Sequence, residues 1–174
     1  AILSAVKQGG QVIVFARSGG RLENLLRRQA AVIDLSIVPP PRNAQSVAEV
    51  GPVWMIPADT RAEEDRLTAR LFPRFDYLVA PPHERSNWAL GLGLPMFAVV
   101  PCYGSFAPRN LALLTGAGVA MLLDDATAPA FGEALAGYRR QGDLEAMARA
   151  GRGKCAIDGF ETIAARLHRD FLAG

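Results

Sequence analysis

Apolar and polar positions follow two rhythms along this chain. Ala1 to Gln8 places Ile2, Leu3 and Val6 at helical spacing and stops at Gly9-Gly10. Val12 to Ala16 is an apolar, largely β-branched run of strand length, followed by the turn sequence RSGG and the helical pattern RLENLLRRQ. Val32 to Val38 predicts a second strand, closed by Pro39-Pro40-Pro41, since proline has no N–H for a ladder. A polar loop over 39–52 leads to a third strand at Val53 to Ile56. Thr60 with Glu63 forms a T-x-x-E capping box that launches a helix through about Leu71. Asp76 to Ala80 predicts the fourth strand, ended by Pro81-Pro82, and Ser86 is placed to cap a helix over Asn87 to Leu92. Leu94 to Val100 and Val119 to Leu123 predict the last two strands, with a helix over Asn110 to Thr115 between them and Gly116 and Gly118 as its stop. From about residue 127 the tail is helical: Thr127 to Arg140 with Thr127 as cap, Asp143 to Ala150, and Gly159 to Leu172 with Ile163, Leu167 and Phe171 on one face.

Apolar strands alternating with helices predict an α/β fold, a doubly wound, mostly parallel sheet covered by helices on both faces, Rossmann-like, as one domain over 1–174. Ligands of such sheets sit beyond the carboxyl ends of the strands. Composition changes this picture little. Of 174 residues 50% are hydrophobic and 21% charged, with net charge +2, so no basic field marks a nucleic-acid partner. The longest apolar runs fall short of the roughly 20 residues that span a bilayer. Cys102 and Cys155 have neither metal-ligand nor redox spacing and are expected to be free, inert thiols in a reducing, cytoplasmic setting. No metal site is predicted. The opening AILSAVKQGG, without initiator Met or cationic leader, is expected of a piece trimmed from a longer protein.

Three polar clusters fall at predicted strand ends. ARSGG puts Ser18, Gly19 and Gly20 at the start of a helix, where backbone N–H groups could cradle an anion or simply make a tight turn. It lacks the full G-x-G-x-x-G and the P-loop spacing. PPHERSNW supplies His83, Glu84, Arg85, Ser86 and Asn87, donors and acceptors suited to a ribose, a diphosphate or a sugar. PCYGSFAPRN supplies Tyr103, Ser105, Arg109 and Asn110, with Arg109 able to neutralise phosphate charge, while Tyr103 and Phe106 are expected to pack. Glu63, Glu64, Asp65 and Arg66 read as a solvated helix face, and Asp124-Asp125 as a turn. No nucleophilic triad spacing is present.

The run from 76 to 123, DYLVAPPHERSNWALGLGLPMFAVVPCYGSFAPRNLALLTGAGVAMLL, resembles the donor-binding lobe of GT-B glycosyltransferases. The similar group contains the lipid II-forming N-acetylglucosaminyltransferase and the UDP-glucuronosyltransferases. The resemblance rests on Asp76, His83, Gly93-Leu94-Pro95, Pro101, Asn110 and Gly116-Ala117-Gly118, and extends to the closing helices. It implies a nucleoside-diphosphate sugar as donor substrate and no other cofactor, with the 83–87 loop by the diphosphate or ribose and the 103–110 loop by the sugar. It also implies inverting, metal-independent transfer and a catalytic base from a second, acceptor-binding lobe or partner subunit, through which peripheral membrane association would run. Aligned on Gly93-Leu94-Pro95, Trp88 stands where the family places a ribose-holding Glu, and Phe106-Ala107-Pro108-Arg109 where it places an acidic-Gln pair.

Two functional classes follow. One is the nucleotide-sugar-binding lobe of a glycosyltransferase. The other is a non-catalytic Rossmann-like binding or assembly module whose nucleotide site has decayed. An epimerase or hydrolase on the same fold would need an internal acid/base set that the sequence does not display.

Overall fold

The computed structural model describes residues 1–33, 35–37, 52–83 and 85–172. These form six parallel strands, β1 (Val12–Arg17), β2 (Leu35–Ile37), β3 (Val53–Ala58), β4 (Leu78–Ala80), β5 (Met96–Val99) and β6 (Ala120–Leu123). The helices are α1 (Ile2–Lys7), α2 (Arg21–Arg28), α3 (Ala30–Ile33), α4 (Arg61–Leu71), α5 (Ala107–Gly116), α6 (Phe131–Gln141), α7 (Asp143–Gly151) and α8 (Gly159–Leu167). The chain is α/β, with parallel sheets flanked by helices. The strands expected in one sheet pair in two sets of three, β1-β3-β2 and β4-β5-β6. The chain divides into two compact units, Ala1–Phe75 with Asp125–Gln141, and Asp76–Asp124 with Gly142–Gly174.

In the first unit β3 lies between β1 (Val12 opposite Val53 through Arg17 opposite Ala58) and β2 (Leu35 opposite Val53). Successive strand residues point to opposite faces, so one apolar run builds two cores. Val53 and Met55 pack with Ala16, Leu26 and Ile33, joined by Ile2, Val6 and Val14. Trp54 and Ile56 pack on the other face with Leu67 and Leu71, joined by Ile13 and Phe15. Phe75 closes this second core, its ring edge-on to Phe15 with centroids 6.3 Å apart. The indole N–H of Trp54 and the hydroxyl of Thr68 are buried there without a hydrogen-bond partner. The Gly132 N–H donates to Ser4 Oγ at 2.8 Å, tying α6 to α1.

In the second unit β5 is central, with Leu78 opposite Met96 on one side and Met96 opposite Ala120 on the other. Met96 and Ala98 pack with Ala89, Leu90, Leu114 and Val119, while Phe97 meets Tyr77 edge-on at 5.6 Å. The π-helical turn Trp88–Leu92 is clasped from behind. Gly153 and Cys155 donate their N–H groups to Gly91 and Leu90 carbonyls at 2.9 and 2.8 Å. The α7 residue Gly151 lies so close to Ala89 that a Cβ there would overlap the Ala89 carbonyl oxygen.

Several boundaries differ from the sequence expectation. Val32 and Ile33 are helical, because their N–H groups continue the preceding helix by donating to the Gln29 carbonyl at 2.9 and 3.1 Å, and β2 starts only at Leu35. The 39–52 loop lies, apart from Pro52, outside the described residues. The strand β3 extends to Ala58 by pairing with β1, and β4 shortens to three residues. The helix α5 starts at Ala107, with Pro108 in its first turn where a missing N–H costs nothing. Thr60 caps α4 as expected, accepting from the Glu63 N–H at 3.2 Å. Thr127 does not cap through its side chain. Ser86 does not cap either, since its hydroxyl donates to the His83 carbonyl at 2.6 Å. Ile163 and Leu167, expected on one face of the tail helix, are exposed on α8. Cys102 and Cys155 are unbridged. Among the described residues no helix is long and apolar enough to cross a membrane.

Candidate functional site

The loop after β1 is closed by its own chain. Gly20 is the N-cap of α2 and Glu23 sits three residues later, the spacing at which an acid reaches back over a helix start. The Ser18 N–H donates to the Ala58 carbonyl at 3.0 Å, and the Gly20 N–H to the Arg17 carbonyl at 2.9 Å. Between them the Gly19 N–H donates to Glu23 Oε2 at 2.8 Å. Gly19 adopts φ +69°, which favours glycine. Glu23 is buried, and Arg27 Nε donates to its other oxygen at 2.7 Å. That side-chain bond from Arg27, and then the Gly19 N–H, hold the Glu23 carboxyl below the usual carboxylate range. The three backbone donors expected to face an anion at Ser18, Gly19 and Gly20 thus have partners within the first unit.

The strand ends of the second unit are built differently. Beyond β4, Ala80, Pro81, His83 and Arg85 line an open cleft of about 370 Å³, within the range of small-molecule sites. Pro81 and Pro82 end the strand, and the His83 N–H turns back to the Pro81 carbonyl at 2.8 Å. Ser86 secures that turn through the His83 carbonyl. The Arg85 guanidinium lies over the Trp88 ring, 4.7 Å from its centroid, a cation–π contact that fixes the charge at the rim. His83 is exposed and Arg85 half-buried.

The loop after β5 joins this rim at two points. Asn110 Nδ2 donates to the Pro82 carbonyl at 3.0 Å. Gly104, at φ +85°, comes close enough to His83 that a Cβ on it would lie 3.7 Å from His83 Cε1. The N-terminus of α5 follows directly, with Phe106 as N-cap and no acid in its first turn. Its positive dipole end therefore stands beside the rim, and Arg109 is exposed in the first turn of α5.

The structure brings together His83, Arg85, Ser86 and Asn110 and attaches the loop carrying Tyr103 and Ser105 to them. Asn110 and Ser86 act as struts, their side-chain donors spent on backbone carbonyls. Asn87 is exposed, and Glu84 lies outside the described residues. Tyr103 and Phe106, expected to pack, are instead 72% and 71% exposed. Sequence reasoning missed Glu23, whose position three residues after Gly20 was the available signal. It also missed the Arg85–Trp88 stack, readable only as an Arg three residues before a Trp. Among the described residues no group of three His, Cys, Asp or Glu is placed to hold a metal ion. No family model, curated protein or solved structure matches this chain.

Proposed function

We propose that this chain is the donor-binding lobe of a glycosyltransferase, holding a nucleoside-diphosphate sugar at the carboxyl ends of β4 and β5. The observation that carries the reading is the cleft with His83 and Arg85 on its rim, tied through Asn110 to the start of α5. Two arginines and a helix N-terminus free of acids suit a diphosphate, whose charge grows as the sugar departs. Arg85, Arg109 and the α5 dipole lower the energy of that leaving group without a covalent step or a metal. The described residues lining the cleft include no carboxylate and no triad, and in this reading the base that activates the acceptor comes from an acceptor-binding lobe or partner subunit. A cytoplasmic setting, with membrane contact through that partner, completes the reading.

Calorimetric titration with UDP, GDP and dTDP, free and as sugar conjugates, tests it. Binding is expected, and Arg109→Ala should weaken it about ten- to a hundredfold, the range of a lost charge-assisted hydrogen bond. Silence of the wild-type chain toward the whole panel at about millimolar ligand, where even weak binding stabilises a fold, overturns it. A second reading, the non-catalytic module, is favoured by the Trp88 indole standing where the resemblance places a ribose-holding Glu, covered by Arg85. Under the first reading the Arg85–Trp88 stack serves the diphosphate, so Arg85→Ala also weakens nucleotide binding. Under the second it only buttresses the turn.

A further inference from the structure

The sheet of the first unit is covered on its two faces by helices that differ in charge and in what they leave exposed. On the face of Trp54 and Ile56 lies α4, which buries Leu67 and Leu71. It also carries Arg61, Arg66 and Arg70 with Glu63, Glu64 and Asp65, three charges of each sign, and no large apolar side chain is exposed on it. That is a solvated layer. On the face of Val53 and Met55 lie α1, α2 and α3, which pack Ile2, Val6, Leu26 and Ile33 into one core. These helices leave Leu3, Leu22, Leu25 and Val32 exposed.

Charge is segregated with them. Residues 1–33 hold five cations, Lys7, Arg17, Arg21, Arg27 and Arg28, all exposed, against one acid, Glu23, which is buried and bonded to Gly19 and Arg27. Their net +4 stands in a chain of net +2, so the other residues sum to −2. On α2 Leu22 and Leu25 are three residues apart, and Leu25 lies four after Arg21 and three before Arg28, spacings that bring all four to one side of the helix. Neither Arg21 nor Arg28 has an ion-pair partner among the described residues.

Cations with no exposed acid between them, set among exposed leucines, match a surface that is anionic outside and apolar just beneath. A bilayer containing anionic lipid has that layering. We infer that the α1–α3 layer is a membrane-contact surface, with Leu22 and Leu25 entering the headgroup boundary and Arg21 and Arg28 on the lipid phosphates. The exposed apolar residues are distributed over three helices, and a fluid boundary accepts them without a complementary shape. This goes beyond the donor-lobe reading, which gives membrane contact to a partner, and does not rest on it, because it concerns the first unit and not the cleft.

Flotation of the full chain with vesicles tests it, using phosphatidylcholine alone and an equimolar mixture with phosphatidylglycerol. Binding to the mixture is expected to be much the stronger. Arg21→Gln with Arg28→Gln should lower it about twenty- to thirtyfold, since each cation near an anionic surface is worth about fivefold. Leu22→Gln with Leu25→Gln should lower it about tenfold, through lost apolar burial. Arg66→Gln with Arg70→Gln makes the same charge change on α4 and should alter binding little. All six residues are exposed, so urea midpoints should stay near that of the wild type. A wild-type chain that floats no better with the mixture than with phosphatidylcholine alone overturns the inference. Equal losses from the arginine pairs on the two faces, or leucine variants that bind like the wild type, overturn it as well.

Discussion

After β1 and after β3 the chain enters a helix in the same way. The residue three places past the N-cap is a glutamate, Glu23 or Glu63, and its carboxylate accepts the N–H of the residue just before the cap, Gly19 at 2.8 Å or Asp59 at 3.0 Å. After β4 and β5 the corresponding turns are secured by neutral groups, the Ser86 hydroxyl and the Asn110 amide, and the first turn of α5 contains no acid. An acid at a helix start satisfies an orphan donor and cancels the positive end of the helix dipole. The first unit uses its strand-end loops to hold itself together. The second leaves the start of α5 without an acid in its first turn, at the edge where parallel sheets meet their ligands, and there His83 and Arg85 line a cleft.

The largest effect on this contrast should come from behind the open loops. Because α7 packs on the π-helical turn through Gly151, Gly151→Ala forces α7 and the Ala89 carbonyl apart. Overpacking of this kind costs about 2–3 kcal/mol, read as a lower urea midpoint. Displacing the turn that carries Trp88 should also remove the support under Arg85 and with it nucleotide binding. Gly116→Ala is the control, since a Cβ there meets nothing within 4 Å. Equal midpoints for the two variants would show that the clasp does not hold the cleft.

A smaller effect is expected at a closed loop. Thr60→Ala removes the hydroxyl that accepts the Glu63 N–H, leaving the reciprocal Glu63–Asp59 bond. Loss of an N-cap hydroxyl costs about 1 kcal/mol, again by urea unfolding, and nucleotide affinity should not change. A fall in that affinity would mean the closed loops also serve the ligand.

These two loop types were unequally legible in the sequence. The T-x-x-E box at Thr60 was read directly, because cap and acid are three residues apart and both are typical. The same device at Gly20 and Glu23 was hidden by a glycine cap, which invited an anion-binding reading instead. The strand runs Val12 to Ala16 and Val53 to Ile56 were visible because nearly every residue is apolar, as a strand buried on both faces requires. Val32 and Ile33 misled for the same reason: β-branched residues suggest strand, yet here the helical hydrogen bonds to Gln29 and the burial of Ile33 prevail. The division into two three-stranded sheets depends on which strands meet, a long-range fact that no local pattern carries. The exposure of Tyr103 and Phe106 was equally out of reach, since an aromatic in a loop reads as packed until its surroundings are known.

The finest distinction concerns charge, and Glu23→Gln isolates it by keeping shape and the acceptor for Gly19 while removing the ion pair with Arg27. In the folded chain the Glu23 carboxyl titrates below its ordinary value, chiefly through the Arg27 hydrogen bond and then the Gly19 N–H. In the unfolded chain it titrates near 4.3. Folding therefore favours the ionised form, and the resulting stability is fully present above about pH 4.3 and is lost as pH falls through the lowered folded value. Thermal melts of wild type and variant should differ at pH 7, with wild type higher, and converge as the pH drops below the ordinary carboxylate range. Added salt should narrow the gap at pH 7, because Arg27 is 46% exposed and screened. A gap that stays constant down to about pH 3 would show that the glutamate closes this loop by shape and hydrogen bonding alone, and the contrast between the units would then rest on geometry rather than on charge.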